Sequence, residues 1–512
     1  MADPVAKTFD PSVLDRTVIA RPLLDALEKG GDAALYDVVV DLNLNFPGGR
    51  PRARERIRDL AVAAMATMAS TESTEGAPAG AGINERKSEL SDQYVFGRLP
   101  GGAIRAMVRM DSESAAGRSQ ASNRVIFRIW PDFEVRALLT NSVSTVKADA
   151  AVASFAAGGQ QIVWAVLDSG VDGEHPHFRK HHTLTLSPPL RHRDFTCAPG
   201  QTEQPLLDEF GHGTHVAGII AGELDAADLT PLSVNGAPPT IGAITRQRDE
   251  SGSVVHEVIP IRKVRGVAPQ ATIVSVKVLD AQGRGQVSNL ITALEEIERM
   301  NGYGKDIRIH GVNLSVGYDF DPEWFACGQS PLCNVVDRLA RSGVVVVVAA
   351  GNTGYGYTDT IGRGSVAAGL SLSINDPGNA DRAITVGSTH RDMPHIYGVS
   401  YFSSKGPTGD GRAKPDLVAP GEKIISCGAG AKLADARSAT QSDALYVEDS
   451  GTSMAAPHVS GAIAAFLSIR REYIGQSEEV KRIFLAAATD LKRERYFQGA
   501  GLLDLMRAIQ SV

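Results

Sequence analysis

The hydrophobic pattern of the chain changes near residue 160. Beyond that point, almost continuous apolar stretches of strand length alternate with amphipathic stretches of helix length, as in a parallel sheet covered on both faces. Five stretches predict the strands, namely QIVWAVLD (161–168), ATIVSVKVLD (271–280), IHGVNLSVG (309–317), GVVVVVAAG (343–351) and RAITVGS (382–388). The helices between them are predicted at HGTHVAGIIAGEL (212–224), VSNLITALEEIERM (287–300) and NVVDRLARS (334–342). This region is therefore predicted to be α/β with a mostly parallel central sheet, in which ligands bind outside the carboxyl ends of the strands.

The region up to about residue 135 has a mixed pattern. YDVVVDLNL (36–44), GGAIRAMVRM (101–110) and RVIFRIW (124–130) predict strands, and RARERIRDLAVAAMATMA (52–69) has apolar residues at helical spacing. These elements predict a small α+β domain. Within the α/β region, the inserted stretch 223–265 has a loop-like composition and predicts a surface excursion or a regulatory hairpin.

Composition narrows the classes of function. The 512 residues are 43% hydrophobic, enough for a large core, and the net charge of −7 argues against a nucleic-acid-binding surface. No apolar run reaches the length of a membrane span, and the first residues lack the apolar segment of a secretory signal. Four cysteines do not make a disulfide framework in so long a chain. We therefore expect a cytoplasmic protein, while export by a route without a cleaved signal stays open.

Candidate chemistry begins with Ser453 in GTSMAAPH (451–458), a small hydroxyl at the start of an apolar helix. A helix-capping serine would explain this residue equally well. A nucleophile would instead need a base, an acid that orients the base, and donors for an oxyanion. Those partners have to come from elsewhere in the chain.

Three residues at the active edge of the predicted sheet can supply these roles. Asp168 ends a predicted strand, His212 begins a helix between two glycines, and Asn352 follows the strand at 343–351. Taken alone, each has an ordinary explanation, as a turn aspartate, a capping or packing histidine and a turn asparagine. Together with Ser453 they provide every group that acyl transfer requires.

The combination predicts a mechanism. Ser453 attacks a carbonyl carbon, His212 takes its proton and returns it to the leaving amine, and Asp168 holds the imidazole tautomer. The Ser453 backbone N–H and the Asn352 amide receive the oxyanion, which the helix dipole also favours. His215 does not extend this site to a zinc motif, because the H-E-x-x-H pattern is absent.

The sequences around these residues resemble the subtilisin-like serine proteases, the subtilase family. VLDSGVDGEHP surrounds Asp168, GHGTHVAGIIAG surrounds His212 and GTSMAAPHVSGA surrounds Ser453, in the chain order of that family. Further similar segments are GVAPQATIVSVKVLDAQGRGQVS (266–288), VNLSVG (312–317), AAGN (349–352), FSSKGPTGDGRAKPDLVAPG (402–421) and GAGLLDLMRA (499–508). The resemblance implies a three-layer subtilisin-like fold and a serine endopeptidase that needs no cofactor for catalysis.

The resemblance also implies how a polypeptide substrate binds. An extended chain would pair as a strand with two edges, Gly283-Arg284-Gly285 and Ser315-Val316-Gly317. The base of the first specificity pocket would lie near Ile374, Asn375 and Asp376, where the family often has small residues, and Asn375 would contact the substrate. Asn375 and Asp376 depart from the family pattern and could admit a polar or basic side chain. We expect instead that Asp376 faces solvent as a turn residue before Pro377. Many family members bind structural calcium, so a calcium site stays open here, although no loop of this chain maps cleanly onto one.

By the same resemblance, residues 1–135 are similar to a subtilase propeptide, and residues 136–512 form the peptidase domain. Propeptides of this family inhibit their own enzyme and assist its folding. The likeness is carried mainly by 124–151, and it implies self-cleavage near Val135 to Leu139. A permanent accessory domain is the alternative.

Other cysteines and histidines leave alternatives open. Cys327 and Cys333 bracket a short loop, where free thiols are expected and a transient disulfide or weak metal pair is not excluded. Five histidines between 175 and 192 predict a solvated basic loop rather than a metal site.

Three other classes of function fit the sequence less well than an endopeptidase does. A non-catalytic peptide-binding scaffold would have no use for all four site residues. A metal-dependent hydrolase lacks a ligand motif on a helix, and an esterase lacks its G-x-S-x-G elbow. The expected partners are therefore polypeptide substrates and the N-terminal domain itself, without nucleic acid or membrane.

Overall fold

The computed structural model describes residues 18–71, 80–89, 91, 93–115, 124–131, 141–197, 201–229, 239–248, 254–319, 326–360 and 364–512. The chain divides into two compact units, Met1–Arg136 and Ala137–Val512. Each unit has a hydrophobic core of its own.

The first unit combines an antiparallel sheet with helices. Its described elements are α1 (Arg21–Gly30), β1 (Leu35–Leu42), α2 (Gly49–Thr71), β2 (Gly82–Ile83), α3 (Glu85–Glu89), β3 (Tyr94–Pro100), α4 (Gly101–Ala115) and β4 (Ile126–Pro131). The strands pair antiparallel in the order β2-β3-β1-β4. Buried residues of β1, such as Val38 and Val40, share one core with Ile57 and Ala61 of α2. The unit is therefore α+β.

The prediction of a strand at residues 101–110 of this unit is wrong. Residues 101–110 lie in the helix α4 instead. The buried residues recur with the spacing of a helix face, at Ala103, Ile104, Met107 and Asp111. Ala, Met and Arg also favour helices, and that propensity outweighs the short apolar appearance of the stretch.

The strands of the second unit are β5 (Val163–Asp168), β6 (Arg193–Asp194), β7 (Glu223–Asp225), β8 (Ile241–Arg248), β9 (Val254–Ile261), β10 (Lys263–Arg265), β11 (Thr272–Lys277), β12 (Gly311–Leu314), β13 (Val345–Ala349), β14 (Tyr355–Thr360), β15 (Gly364–Gly369), β16 (Ile384–His390), β17 (Leu417–Glu422), β18 (Ile424–Cys427) and β19 (Tyr446–Asp449). Seven of them form a sheet in the order β17-β16-β13-β12-β5-β11-β6. All neighbours in this sheet pair in parallel. It contains a strand at each of the five stretches predicted from the apolar pattern.

The described helices of this unit are α5 (Asn141–Thr145), α6 (Ala148–Phe155), α7 (His212–Ile220), α8 (Ala226–Leu229), α9 (Val287–Met300), α10 (Pro331–Arg341), α11 (Pro394–Tyr397), α12 (Gly430–Thr440), α13 (Thr452–Ile469), α14 (Ser477–Ala487), α15 (Arg495–Gln498) and α16 (Leu505–Gln510). Among the described helices, α13 is long and apolar enough to cross a membrane, and 83% of it is buried inside the protein. Such burial is typical of a core helix.

Alternate residues of the central strands face two different cores. In β13, Val345 and Val347 lie in one core with residues of α7 and α13. Val346 and Val348 lie in the other core with residues of α9 and α10. Because both of its faces are covered, β13 is apolar at every position. The second unit is thus a three-layer α/β fold with a parallel central sheet, as the sequence predicted.

The stretch 223–265 is more regular than its loop-like composition predicts. Its described residues form β7 to β10 and α8, and β8 pairs with β9 as an antiparallel hairpin. β8 also pairs with β19, in a sheet of order β18-β19-β8-β9. Ile241, Ala243 and Ile261 are buried in the core, which anchors the hairpin to the rest of the unit.

The parallel sheet brings the candidate site residues to one edge. Asp168 is the last residue of β5, Ser315 directly follows β12, and Asn352 lies three residues beyond β13. His212 and Ser453 are the first residue of α7 and the second residue of α13. Strand ends and helix starts therefore supply every candidate group.

Candidate active site

The Asp168 carboxylate and the His212 imidazole form a hydrogen-bonded pair. His212 Nδ1 lies 2.8 Å from Asp168 Oδ1 and 2.9 Å from Asp168 Oδ2. Asp168 is fully buried, and its Oδ1 also accepts a hydrogen bond from the Ser169 backbone N–H at 2.8 Å. A carboxylate at this place makes Nδ1 the protonated nitrogen and leaves Nε2 as a proton acceptor.

Two opposing effects act on the pKa of His212. Burial lowers this pKa, because a buried imidazolium loses its hydration. The negative charge and the hydrogen bond of Asp168 raise it more, so the pKa of His212 lies above its ordinary value of 6.5. A raised pKa makes the imidazole a better proton acceptor.

A second buried carboxylate, Asp208, holds the start of α7 against the end of β5. Its Oδ1 accepts hydrogen bonds from the Gly211 N–H (2.7 Å) and Ser169 Oγ (2.8 Å). Its Oδ2 accepts from the N–H (2.8 Å) and the hydroxyl (2.6 Å) of Thr214. Ser169 Oγ in turn accepts from the Gly213 N–H at 3.0 Å. The network fixes the backbone on both sides of the acid–imidazole pair.

The glycines around His212 allow close backbone contacts, as the sequence predicted. Gly211 has a φ of +96°, and a Cβ atom there would lie 2.1 Å from Ala429 O. A Cβ atom at Gly213 would lie 2.1 Å from Gly170 O. Any larger residue at either position would therefore displace the imidazole.

Ser453 is tied to the end of β12 by a chain of polar groups. Ser453 Oγ donates to Ser315 O at 3.1 Å, and Ser315 Oγ donates to Ser453 O at 2.9 Å. Asn313 Nδ2 donates to Ser315 Oγ at 2.9 Å, and Ser460 Oγ donates to Asn313 Oδ1 at 2.8 Å. In this conformation the Ser453 hydroxyl is bonded to backbone rather than to His212, and a rotation about its χ1 bond would redirect it.

Asn352 is oriented by the residue that precedes Ser453. Its Oδ1 accepts hydrogen bonds from the Thr452 N–H (2.9 Å) and the Thr452 hydroxyl (3.1 Å). Because this oxygen is occupied, the Nδ2 group is the part of the amide that is left to donate into the cleft. The Ser453 N–H is one of the first four of α13, which have no acceptor inside the helix. Two donors are therefore available for an oxyanion.

These groups open onto one cleft with a volume of about 740 Å³. His212, Asn352 and Ser453 line this cleft, and Asp168 is buried behind the imidazole. The residues predicted to contact substrate line it as well, namely Gly283, Arg284, Gly285, Ser315, Val316, Gly317 and Asn375. The structure thus brings together all the site residues that the sequence singled out.

Asp376 does not face solvent, contrary to the expectation from sequence. It is buried, and its Oδ1 accepts a hydrogen bond from Asn379 Nδ2 at 2.8 Å. Its backbone N–H and O pair with the backbone of Tyr318 at 3.0 and 2.9 Å. These contacts hold the loop of Asn375 against the segment that follows Gly317, so Asp376 supports the wall of the cleft.

Two histidines of the stretch 175–192 are buried, which makes the prediction of a solvated loop wrong for them. His175 Nε2 lies 3.0 Å from Leu445 O, and His177 Nδ1 lies 3.0 Å from the Tyr446 hydroxyl. In the described parts of the chain, no group of three or more His, Cys, Asp or Glu side chains could hold a metal ion. The four cysteines are free thiols.

Asp208 and Thr452 belong to the site, although the sequence argument did not select them. Both orient other groups by hydrogen bonds that depend on the folded chain. Asp208 stands four residues before His212, and Thr452 directly precedes Ser453. Asp and Thr at such positions are common in turns and helix caps, so their spacing alone carries little signal.

The cleavage segment predicted at 135–139 lies outside the described residues.

Comparisons with known proteins show which family the chain resembles. Residues 159–501 match the model of a protein family described as the Subtilase family. The chain is 30% identical over 402 residues to serine protease AprX of Bacillus subtilis (strain 168), across 76% of this chain and 75% of that protein. It is 29% identical over 352 residues to subtilisin E of the same strain, across 69% of this chain and 66% of that protein. It is 30% identical over 342 residues to pyrolysin of Pyrococcus furiosus, across 59% of this chain and 21% of that protein.

Proposed function

Because this chain belongs to the subtilase family of serine endopeptidases, we propose that it cleaves polypeptides with Asp168, His212 and Ser453 as its catalytic triad. The observation that carries the proposal is the hydrogen-bonded pair of Asp168 and His212, which meets Ser453 and Asn352 at a single cleft.

In the first half of the reaction, Ser453 Oγ attacks the carbonyl carbon of the scissile bond and its proton passes to His212 Nε2. The oxyanion that forms accepts hydrogen bonds from the Ser453 N–H and Asn352 Nδ2. Collapse of the tetrahedral intermediate breaks the C–N bond, and the imidazolium gives its proton to the leaving amine. The acyl group stays on Ser453 as an ester.

In the second half, a water molecule attacks the ester carbonyl while His212 takes its proton. The same two donors hold the new oxyanion. The intermediate releases the acid product, and the proton returns to Ser453 Oγ. Asp168 keeps its charge throughout and stabilises the imidazolium in both halves. These steps need no cofactor, and we assign no calcium site.

The substrate would be an extended chain that pairs with two edges of the cleft. Residues 283–285 form one edge and residues 315–317 form the other, and both line the cleft beside Ser453. Backbone hydrogen bonds to such edges bind any sequence, and the pockets between them select side chains. Asn375 would then contact the side chain next to the scissile bond.

We further propose that residues 1–135 inhibit and help to fold residues 136–512, and are removed by self-cleavage near Val135 to Leu139. The likeness of 124–151 to the end of a subtilase propeptide supports this role. The division of the chain into two compact units after Arg136 is compatible with it.

The function is tested by comparing wild type, Ser453→Ala and Ser450→Ala on an internally quenched fluorescent peptide. Ser453→Ala should lower kcat by about 10⁶-fold, the loss expected when a triad nucleophile is removed. Ser450→Ala, a neighbouring exposed serine, should retain the wild-type rate. Equal rates for wild type and Ser453→Ala would overturn the proposal.

Self-cleavage is tested on the same proteins by N-terminal sequencing. The wild type should show a new N-terminus near residues 136–140, and Ser453→Ala should not. An uncut chain in both proteins, together with an active wild type, would identify the N-terminal unit as a permanent accessory domain.

A further inference from the structure

A solvent-exposed aromatic face lies on the hairpin of β14 and β15, which begins two residues after the cleft residue Thr353. β14 and β15 pair antiparallel, and Tyr355 and Tyr357 share one face of β14 because side chains alternate along a strand. Gly369 stands opposite Tyr355, and Ala367 stands opposite Tyr357. Residues directly opposite each other share a face, so the partner strand places only a hydrogen and a methyl group beside the rings.

A third tyrosine extends this face. The ring of Tyr401 packs edge to face against Tyr355, with 5.8 Å between the ring centroids. All three rings stay largely open to solvent, since Tyr355, Tyr357 and Tyr401 are 49%, 78% and 66% exposed. We name these three residues the tyrosine surface. Contiguous aromatic rings that remain exposed are a common mark of an interaction site.

The base of the hairpin is fixed to the body of the unit. The Gly354 N–H donates to Phe402 O at 2.9 Å, which ties the hairpin to the segment that carries Tyr401. Gly354 O accepts hydrogen bonds from Lys405 Nζ (3.0 Å) and the Leu370 N–H (2.9 Å). The tyrosine surface therefore has a defined position beside the cleft.

The tyrosine surface lies within reach of any chain bound in the cleft. Thr353 lines the cleft, and Tyr355 follows two residues later. Because an extended chain covers about 3.5 Å per residue, the Cα of Tyr355 lies within roughly 7 Å of the Cα of Thr353. A polypeptide that is cut at an internal bond must leave the cleft at both ends, so a few more residues bring it to these rings.

We propose that the tyrosine surface binds apolar and aromatic side chains of the polypeptide substrate outside the cleft, and that the protein thereby prefers long unfolded chains to short peptides. The proposal rests on the endopeptidase function proposed above. Tyrosine suits this task, because its rigid ring offers a large contact area at a small cost in conformational entropy. Folded proteins bury the side chains that this surface would bind, and unfolded chains expose them.

The test compares a long and a short substrate. Fluorescein-labelled, heat-denatured casein serves as the long chain, and a tetrapeptide p-nitroanilide serves as the short one. The double variant Tyr355→Ser/Tyr401→Ser should raise KM for casein about five- to tenfold, as the loss of aromatic contacts at an interface does. Its kinetics on the tetrapeptide should match those of wild type.

Tyr303→Ser is the matched control. Tyr303 is 67% exposed, close to the value for Tyr401. It follows α9, which starts beside the cleft at Val287 and extends for 14 residues. At 1.5 Å per residue, the helix ends about 20 Å from its start, so this control should behave as wild type on both substrates.

The outcomes separate this inference from the function on which it rests. Unchanged casein kinetics in the double variant would overturn the inference. Equal losses on casein and on the tetrapeptide would also overturn it, since the tyrosines would then act on the cleft itself. A wild type that cleaves neither substrate would contradict the endopeptidase function and, with it, the inference.

Discussion

At the scale of the residue, each reactive group of the site is aimed by a neighbour that does not itself react. Asp168 selects the nitrogen of His212 that carries the proton. Thr452 occupies the carbonyl oxygen of Asn352 and so turns the amide N–H₂ group towards the cleft. The chemistry of the site therefore depends on orientation as much as on residue type.

Asn352→Ala should lower kcat by about 10²- to 10³-fold and leave KM nearly unchanged. The amide donates to an oxyanion that exists only in the transition state and the tetrahedral intermediates, so its loss does not weaken binding of the substrate. Steady-state kinetics on a short peptide measure both constants. A fall in kcat of less than threefold would show that Asn352 does not hold the oxyanion.

The pH dependence should report the pKa of His212. Activity requires the neutral imidazole, so kcat/KM should fall as the pH drops through a pKa that Asp168 holds above 6.5.

Asp168→Asn removes the charge that raises the pKa of His212, and the acid limb of the pH profile should therefore move to lower pH. The same change should reduce kcat by about 10⁴-fold, because the imidazole is then held in the wrong tautomer. An acid limb that stays in place would contradict the assignment of His212 as the base.

At the level of secondary-structure elements, the apolar pattern of the sequence was enough to predict the strands that are covered on both faces. The buried positions of β5, β12, β13 and β16 are rich in apolar residues, so the sequence predicted these strands directly. The stretch 101–110 was assigned wrongly, because a short apolar segment with a few arginines fits a strand or a helix equally well. Its helical form follows from packing in the core of the first unit.

Contacts between distant parts of the chain set the remaining limits of prediction. The backbone of Asp376 pairs with that of the distant Tyr318, and two residues of β8 pair with the distant strand β19. A local sequence pattern does not predict a partner that lies so far away along the chain. The candidate site was predictable for a different reason, since its motifs stand at strand ends and helix starts that the pattern itself locates.

Asp208→Ala should loosen the junction between β5 and α7. The change leaves donors of Gly211, Thr214 and Ser169 without their acceptor, which should lower the free energy of unfolding by about 1–3 kcal/mol. It should also lower kcat, because the start of α7 carries the imidazole. Urea unfolding and steady-state kinetics measure the two effects.

Asp225→Ala is the control for this change. Asp225 also accepts a backbone hydrogen bond near a helix start, from the Ala227 N–H at 3.0 Å, but at a half-buried position beyond the C-terminal end of α7, whereas His212 is the first residue of that helix. It should lower stability by less than about 1 kcal/mol and leave kcat unchanged. Equal effects of the two substitutions would argue against a special role for Asp208.

At the scale of the whole molecule, several histidines are buried in the neutral form. Burial lowers the pKa of His177 to about 3, and the pKa values of His215, His310 and His458 to about 4. Their contacts fit the neutral ring, as at His310, whose Nδ1 accepts a hydrogen bond from the Val163 N–H at 3.0 Å. A proton added to such a ring removes the acceptor or places a charge in the core.

The protein should therefore lose stability as the pH falls from about 6.5 to 4. In this window the unfolded chain binds protons at these histidines and the folded chain does not, and each contributes about 1.4 kcal/mol per pH unit. His212 acts in the opposite direction, since its raised pKa favours the folded state at low pH, but it is one group against four.

Urea unfolding at pH 7 and pH 5 tests the expected loss of stability. Equal midpoints at the two pH values would contradict it, and His182→Gln, at an exposed position, should leave the difference unchanged.

In the proposed mechanism Ser453 is a nucleophile activated by His212 and Asp168, and covalent labelling of the serine tests this role. Wild type, Ser453→Ala and His212→Ala are treated with a fluorophosphonate probe, and the labelled residue is mapped by mass spectrometry. We expect a phosphonyl group on Ser453 in wild type, no label in Ser453→Ala and strongly slowed labelling in His212→Ala. Labelling of wild type at another residue, or labelling of Ser453 at the same rate without His212, would contradict it.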